Sequence, residues 1–278
     1  MKIILSLIIL IFGISVGSFL NCVIYRLEIK RSFLKGRSFC PKCHHTLRWY
    51  DLIPILSFII LKGKCRYCGE RISLQYPLVE ISTGLIFLQI FNFQFPIFNE
   101  FSISNFQNFG RLIYFWLISS LLIIIFVYDL KHYIIPDKII YPAIGITFIF
   151  RILDFGHWDL FRISDLGFGI FGGLKSPLIT GFVAGLFFSL IWLVSQGRWM
   201  GLGDAKLVFF MGLFLGWPNI LVALFSAFFL GAIIGLGLIA FGKKSLKSKI
   251  PFGPFLIIGT FVALFWGQEI INWYLSFI

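Results

Sequence analysis

Charge is what this chain has least of. Only 13% of its 278 residues are Asp, Glu, Lys or Arg, the acids number 12 against 24 basic residues, and 59% of the chain is hydrophobic. A soluble domain of this length cannot bury so much apolar surface in one core, which excludes an ordinary soluble protein. No Ala-x-Ala-like site follows the first apolar run behind Lys2, so that run is expected to be a retained helix and not a cleaved signal. A lipoprotein site at Cys22 is disfavoured because bulky Asn21 precedes it. Internal repeats, low-complexity tracts and a glycine-rich nucleotide loop of the Rossmann type are all missing.

What fills the sequence instead is apolar segments long enough to cross lipid, since roughly 30 Å of hydrocarbon takes about 20 helical residues. Eight spans are expected, at about 3 to 24, 77 to 97, 111 to 128, 138 to 153, 177 to 196, 202 to 217, 219 to 241 and 252 to 275. The fold class is therefore an all-α polytopic membrane protein of about eight transmembrane helices. In a soluble protein the net charge of +12 would suggest nucleic acid; here its placement reports topology, and the partner expected is the lipid bilayer, with no nucleic acid. If the stretch from Arg26 to Arg71 is cytoplasmic, 19 of the 24 Lys and Arg lie inside, among them Lys131, Lys138, Arg198, Lys206 and the cluster Lys243, Lys244, Lys247 and Lys249. Both termini are then outside. A glycine-bearing insert at 154–176 falls on the outer side and reads as loop or interfacial structure.

The one sizeable polar insert, 26–75, separates a first helix at 1–25 from a bundle at 76–278. It holds Cys40-Pro-Lys-Cys43 and Cys65-Arg-Tyr-Cys68, two Cys-x2-Cys pairs with 21 residues between them. That spacing suits a closed tetrahedral zinc site, with Cys40, Cys43, Cys65 and Cys68 as ligands. Two disulfides are the alternative, favoured only in an oxidising compartment. The neighbouring His44 and His45 are expected to be solvated, because four thiolates already complete the shell. Such a zinc is structural, and folds a segment too small to hold itself together.

Acids at membrane depth are costly unless paired or hydrated, so each is a candidate for function. Asp129 ends the third span and Asp204 opens the sixth in Gly201-Leu202-Gly203-Asp204, both on the charge-rich side. Gly201 and Gly203 are expected to let the backbone turn sharply and a neighbour approach. Two close carboxylates divide labour, one holding a proton while the other acts as a base, which is the chemistry of aspartic proteases. The alternative is two helix-end charges paired with Lys131 and Lys206. Asp137, behind Pro136, suits the first turn of a helix and complements its dipole. Glu80 lies about one turn inside the second span, either paired with a basic residue of the cysteine segment or serving a second site.

Taken in order, these residues resemble a known family. Gly17-Ser18-Phe19-Leu20-Asn21, Ile24-Tyr25-Arg26, the cysteine pairs with Leu47-Arg48-Trp49-Tyr50-Asp51-Leu52-Ile53-Pro54, Gly63-Lys64, and Tyr76-Pro77-Leu78-Val79-Glu80 carry the likeness. So do Asp129 to Pro136-Asp137, Gly201-Leu202-Gly203-Asp204, and Ile250-Pro251-Phe252-Gly253-Pro254-Phe255. The chain is similar, nearly end to end, to bacterial type IV prepilin peptidases. The resemblance implies Asp129 and Asp204 as the catalytic pair, with Gly201, Gly203, Lys206, Asp137 and Glu80 in support. It implies cleavage of a prepilin or pseudopilin leader at the cytoplasmic face of a bacterial inner membrane, after a Gly. It further implies methylation of the new amine from S-adenosylmethionine, associated with the zinc-bearing subdomain. Cys22 departs from the aliphatic residue usual there. Two other readings stay open: a cleavage-only membrane protease for another leader, and a zinc-stabilised scaffold or transporter whose acids bind cations.

Overall fold

The computed structural model describes residues 2–32, 36–94, 105–153, 175–242 and 250–277. The 154–174 part of the outer insert and the basic cluster Lys243, Lys244, Lys247 and Lys249 lie outside the described residues. Nine α-helices are present among those described: α1 Lys2–Glu28, α2 Leu56–Ile60, α3 Gln75–Gln94, α4 Asn105–His132, α5 Asp137–Leu153, α6 Lys175–Ser195, α7 Leu202–Leu215, α8 Asn219–Ala240 and α9 Gly253–Leu275. A single 3-10 turn covers Trp49–Leu52. Each expected span finds a helix, and six of them are long and apolar enough to cross a membrane. The other two, α5 with 17 described residues and α7 with 14, are not among those six.

The chain forms two compact units, Met1–Ile124 and Ile125–Ile278, with the boundary inside α4. In the first, α1 packs along α3 at small residues: a Cβ on Gly13 would lie 2.9 Å from the Gly84 Cα. Close approach of backbones is how membrane helices associate when lipid is as apolar as their side chains. Polar side chains fix the register, because Asn21 donates to the Tyr76 carbonyl at 3.0 Å and accepts from Gln75 at 3.3 Å. Buried Arg26 holds the start of the cysteine segment by donating to the Gly36 carbonyl at 2.7 Å.

In the second unit α7 is the central helix, packed by α5, α6, α8 and α9. Its sequence is apolar on every side, which is the pattern of a helix enclosed by others. From Ala205 to Leu215 nearly every residue is buried. Its 14 residues rise only about 21 Å, less than the roughly 30 Å of hydrocarbon. Carbonyls that end inside a membrane need donors, and Arg151 of α5 supplies them. It is buried and donates to the Leu213 carbonyl at 3.1 Å and the Phe214 carbonyl at 2.6 Å. At the other end Lys206 of α7 pairs with Asp137 of α5 at 2.6 Å. The parallel helices α5 and α7 are thus tied twice, at both ends. Replacing Arg151 with Met leaves the α7 carbonyls without these donors and is expected to cost about 2–3 kcal/mol, read as a lowered melting temperature in detergent. The exposed Asp137–Lys206 pair contributes far less.

Candidate active site and metal centre

The aspartates are brought together by the ends of three helices in the second unit. Asp129 lies in the last turn of α4, which runs on to His132, and is only 4% exposed. Asp204 is the third residue of α7, half-buried, and its Oδ2 accepts the Gly201 N–H at 3.2 Å. The two carboxylates lie within electrostatic reach of each other. Because α7 begins at Leu202, ahead of Asp204, the carboxylate lies within the first turn of the helix.

The third helix end was not assigned a role from the sequence. The first residue of α9 is Gly253, and its backbone N–H donates to the Asp129 carboxylate. A Cβ on Gly253 would lie 2.5 Å from Asp129 Oδ2, a separation that side chains do not tolerate. Ile135, in the connection from α4 to α5, fills the space beside both glycines. It would sit 3.1 Å from a Cβ on Gly203 and 3.5 Å from one on Gly253. Gly203 therefore behaves as expected, admitting a neighbour close to the acid. Gly201 does not: its φ of −76° and ψ of 149° are open to any residue, and a Cβ there would meet only Asp204 Oδ2, at 3.5 Å. Its contribution is the N–H, which any non-proline residue supplies. Lys206, an expected partner for Asp204, is engaged by Asp137 and lies over the Tyr141 ring at 4.9 Å. Asp137 opens α5 just after Pro136, as anticipated.

In the first unit, the sulfurs of Cys40, Cys43, Cys65 and Cys68 all lie within 4.8 Å of one another. None is in a disulfide. A zinc–sulfur bond of about 2.3 Å in a tetrahedron sets sulfurs about 3.8 Å apart, and the Cys40 and Cys68 sulfurs are 3.9 Å apart. The residues fit a tetrathiolate metal. Although burial pushes the Cys40 thiol up, backbone N–H groups of Cys43 and Lys42 bring it to about 7. Cys68 has a favourable backbone bond at Glu70, but burial and the other sulfurs push it up to about 12. Four thiolates this close need a cation to coexist.

The two knuckles are built alike. Cys40 N–H donates to His45 O at 3.0 Å and Cys65 N–H to Glu70 O at 2.8 Å, each closed by one antiparallel bridge, Phe39 with Thr46 and Lys64 with Arg71. Within this repeat His44, at φ 56°, stands where the other knuckle has Gly69, at φ 70°. His44 is thus a turn residue in the left-handed region, and His45 lies against Tyr67 with ring centroids 3.7 Å apart. His44→Gly is expected to leave metal content unchanged and to stabilise slightly, by a few tenths to about 1 kcal/mol, checked by metal analysis beside thermal melting. Between the knuckles, Asp51 accepts from Arg66 at 2.7 Å, Tyr67 at 3.1 Å and the Arg48 N–H at 3.2 Å. Burial pushes its pKa up, but these three donors together hold the carboxyl below the usual range.

Glu80, buried in α3, finds a partner that the sequence did not suggest. Its Oε2 accepts the backbone N–H of Ile55 at 2.8 Å, and the Ser18 hydroxyl bonds it as well. The cysteine segment is held through its backbone and not through a basic side chain.

Comparison with known proteins gives a consistent result. Residues 11–93 match the bacterial peptidase A24 N-terminal domain, and residues 116–236 match the type IV leader peptidase family. A prepilin leader peptidase/N-methyltransferase of Aeromonas salmonicida is 31% identical over 97% of this chain and 93% of its own. Proteins of the same name from Legionella pneumophila and Bacillus subtilis are each 32% identical, covering 98% and 97% of this chain and 94% and 97% of theirs. No solved structure matches the chain.

Proposed function

The chain belongs to the type IV leader peptidase family, and we propose that it cleaves the leader of a type IV prepilin or pseudopilin with Asp129 and Asp204 and methylates the amine so exposed. The protein is a multi-pass membrane protein of the bacterial inner membrane. The observation that carries the peptidase reading is the meeting of two acids at the mouths of α4 and α7, with a backbone N–H donor aimed at each.

A water between the carboxylates would be deprotonated by the ionised one as it attacks the carbonyl of the leader's last residue. The protonated one would bond the developing oxyanion and then give its proton to the leaving amine. The N–H groups of Gly201 and Gly253 keep each carboxylate from swinging out of line, which preserves the geometry on which such proton transfers depend. The excess of basic residues in the segment 26–75 supports a cytoplasmic mouth for this site, where a basic leader followed by an apolar helix presents its scissile bond.

Zinc, held by Cys40, Cys43, Cys65 and Cys68, would leave no open position and supplies folding energy only. S-adenosylmethionine, the donor that the resemblance implies, contributes one methyl group to the free amine; no glycine-rich nucleotide loop receives it among the described residues. The purified chain, incubated with a prepilin and S-adenosylmethionine, is expected to yield a product that has lost its leader and gained the mass of one CH2, a methyl in place of an amine hydrogen. An unmethylated product would leave a cleavage-only enzyme, and an uncut one would remove the peptidase reading.

A further inference from the structure

The cysteine segment shows apolar surface that its own fold leaves uncovered. Trp49, Leu52, Leu56, Ile59 and Ile60 stand exposed on the 3-10 turn and α2, with Trp49 at 76% and Ile60 at 71%. An aqueous, basic knuckle domain gains nothing from presenting five such side chains together.

The depth of α2 says what covers them. Ile55, immediately before α2, donates its N–H to Glu80. Glu80 is the sixth residue of α3, a membrane span, so it lies about 7.5 Å of helix rise inside the start of that span. The same residue packs on Gly17, where a Cβ would lie 2.7 Å from the Glu80 Cα, and Gly17 stands eleven residues before the end of α1. The start of α2 is thus level with the interior of both spans, and not beyond their ends. Helices that lie in a membrane interface sit about 5–10 Å into the headgroup and acyl boundary.

Three further features agree. Leu74, Leu78 and Ile81 are exposed around the start of α3, an apolar surface suited to lipid at the level where Glu80 holds the start of α2. Exposed Lys62, Lys64 and Arg66 follow α2 directly, placed for anionic headgroups as the chain leaves the interface. Ile55 itself has φ 60°, ψ −51°, a conformation rare for a β-branched residue, and its N–H points where water is scarce. The buried Glu80 carboxylate satisfies that donor, as hydrocarbon surroundings require.

We infer that residues 49–61 form an interfacial segment seated in the cytoplasmic leaflet, so that the thiolate knuckles are held at the membrane surface by lipid as well as by chain connectivity. The inference depends on the spans being in a bilayer and is independent of the aspartate pair.

The test uses the full chain in nanodiscs of phosphatidylethanolamine and phosphatidylglycerol. A photoreactive benzoylphenylalanine replaces Ile60, with Glu70 as an aqueous control and Phe182 of α6, exposed on a span, as a lipid control. Irradiation and intact-mass measurement are expected to show lipid adducts at 60 and 182 and none at 70. Adducts at 182 alone, or a crosslink from 60 to a second copy or another segment of the chain, would overturn it. Tryptophan emission gives a second reading without a photoreactive group: the share lost in Trp49→Phe is expected to be quenched by lipids brominated on the acyl chain. An unquenched Trp49 overturns the inference even where the position 60 variant misfolds.

Discussion

Replacing Gly253 with alanine is expected to lower kcat for leader cleavage about 100-fold while leaving KM nearly unchanged. The added methyl would lie 2.5 Å from Asp129 Oδ2, well inside van der Waals contact, and Ile135 stands 3.5 Å away on the other side. Either the carboxylate rotates off its N–H donor or the start of α9 retreats. A displacement of about 1 Å at reacting groups costs about 100-fold in rate. Substrate binding, which draws on the apolar helix and basic leader of the prepilin, is untouched by this change. Methyl transfer to a previously cleaved pilin should also continue, which separates a local effect at Asp129 from general misfolding. Equal loss of both activities would show that Gly253 matters for folding alone.

The larger effect is expected from the acids themselves. Asp129→Asn and Asp204→Asn keep size and most hydrogen bonding but remove the proton-transfer role, and each should reduce cleavage by about 100-fold to 10,000-fold. Because the two act as a unit, the double variant should be little worse than either single one. Asp137→Asn provides the contrast. That residue is exposed and paired with Lys206, so its loss should change cleavage only slightly and stability by less than about 1 kcal/mol. A cation-binding transporter would instead show graded effects from each acid and no cleavage to lose.

Much of this site could be read from the sequence because its chemistry is carried by scarce residues. With 12 acids in 278 residues, Asp129 and Asp204 stand out against an apolar background, and four cysteines in two spaced pairs announce their own geometry. The helices at the eight expected spans were legible for the same reason, since long apolar runs have few alternatives, and six of them are long and apolar enough to cross a membrane. What remained hidden depends on distant parts of the chain meeting. Gly253 is one glycine among 27 until α9 is seen to start against Asp129. Its position inside Pro251-Phe252-Gly253-Pro254 was the available signal, a helix start with its N–H left free. Arg151, near the end of an expected span, proves to be the donor that lets a 14-residue helix end inside the unit. The bond from Ile55 to Glu80 had no local sign, because a backbone N–H carries no sequence label. Gly201 misled in the opposite direction, since its glycine identity serves no turn of its own.

The central claim is that Asp129 and Asp204 together hold the tetrahedral centre of the reaction. It is tested most directly by the affinity of a prepilin leader peptide whose scissile amide is replaced by a hydroxyethylene, which mimics that centre. The protein is expected to bind this peptide at least about 100-fold more tightly than the uncleavable parent, and both Asp129→Asn and Asp204→Asn are expected to lose that margin. Equal affinity for the two peptides, or a margin that survives in either variant, would contradict it.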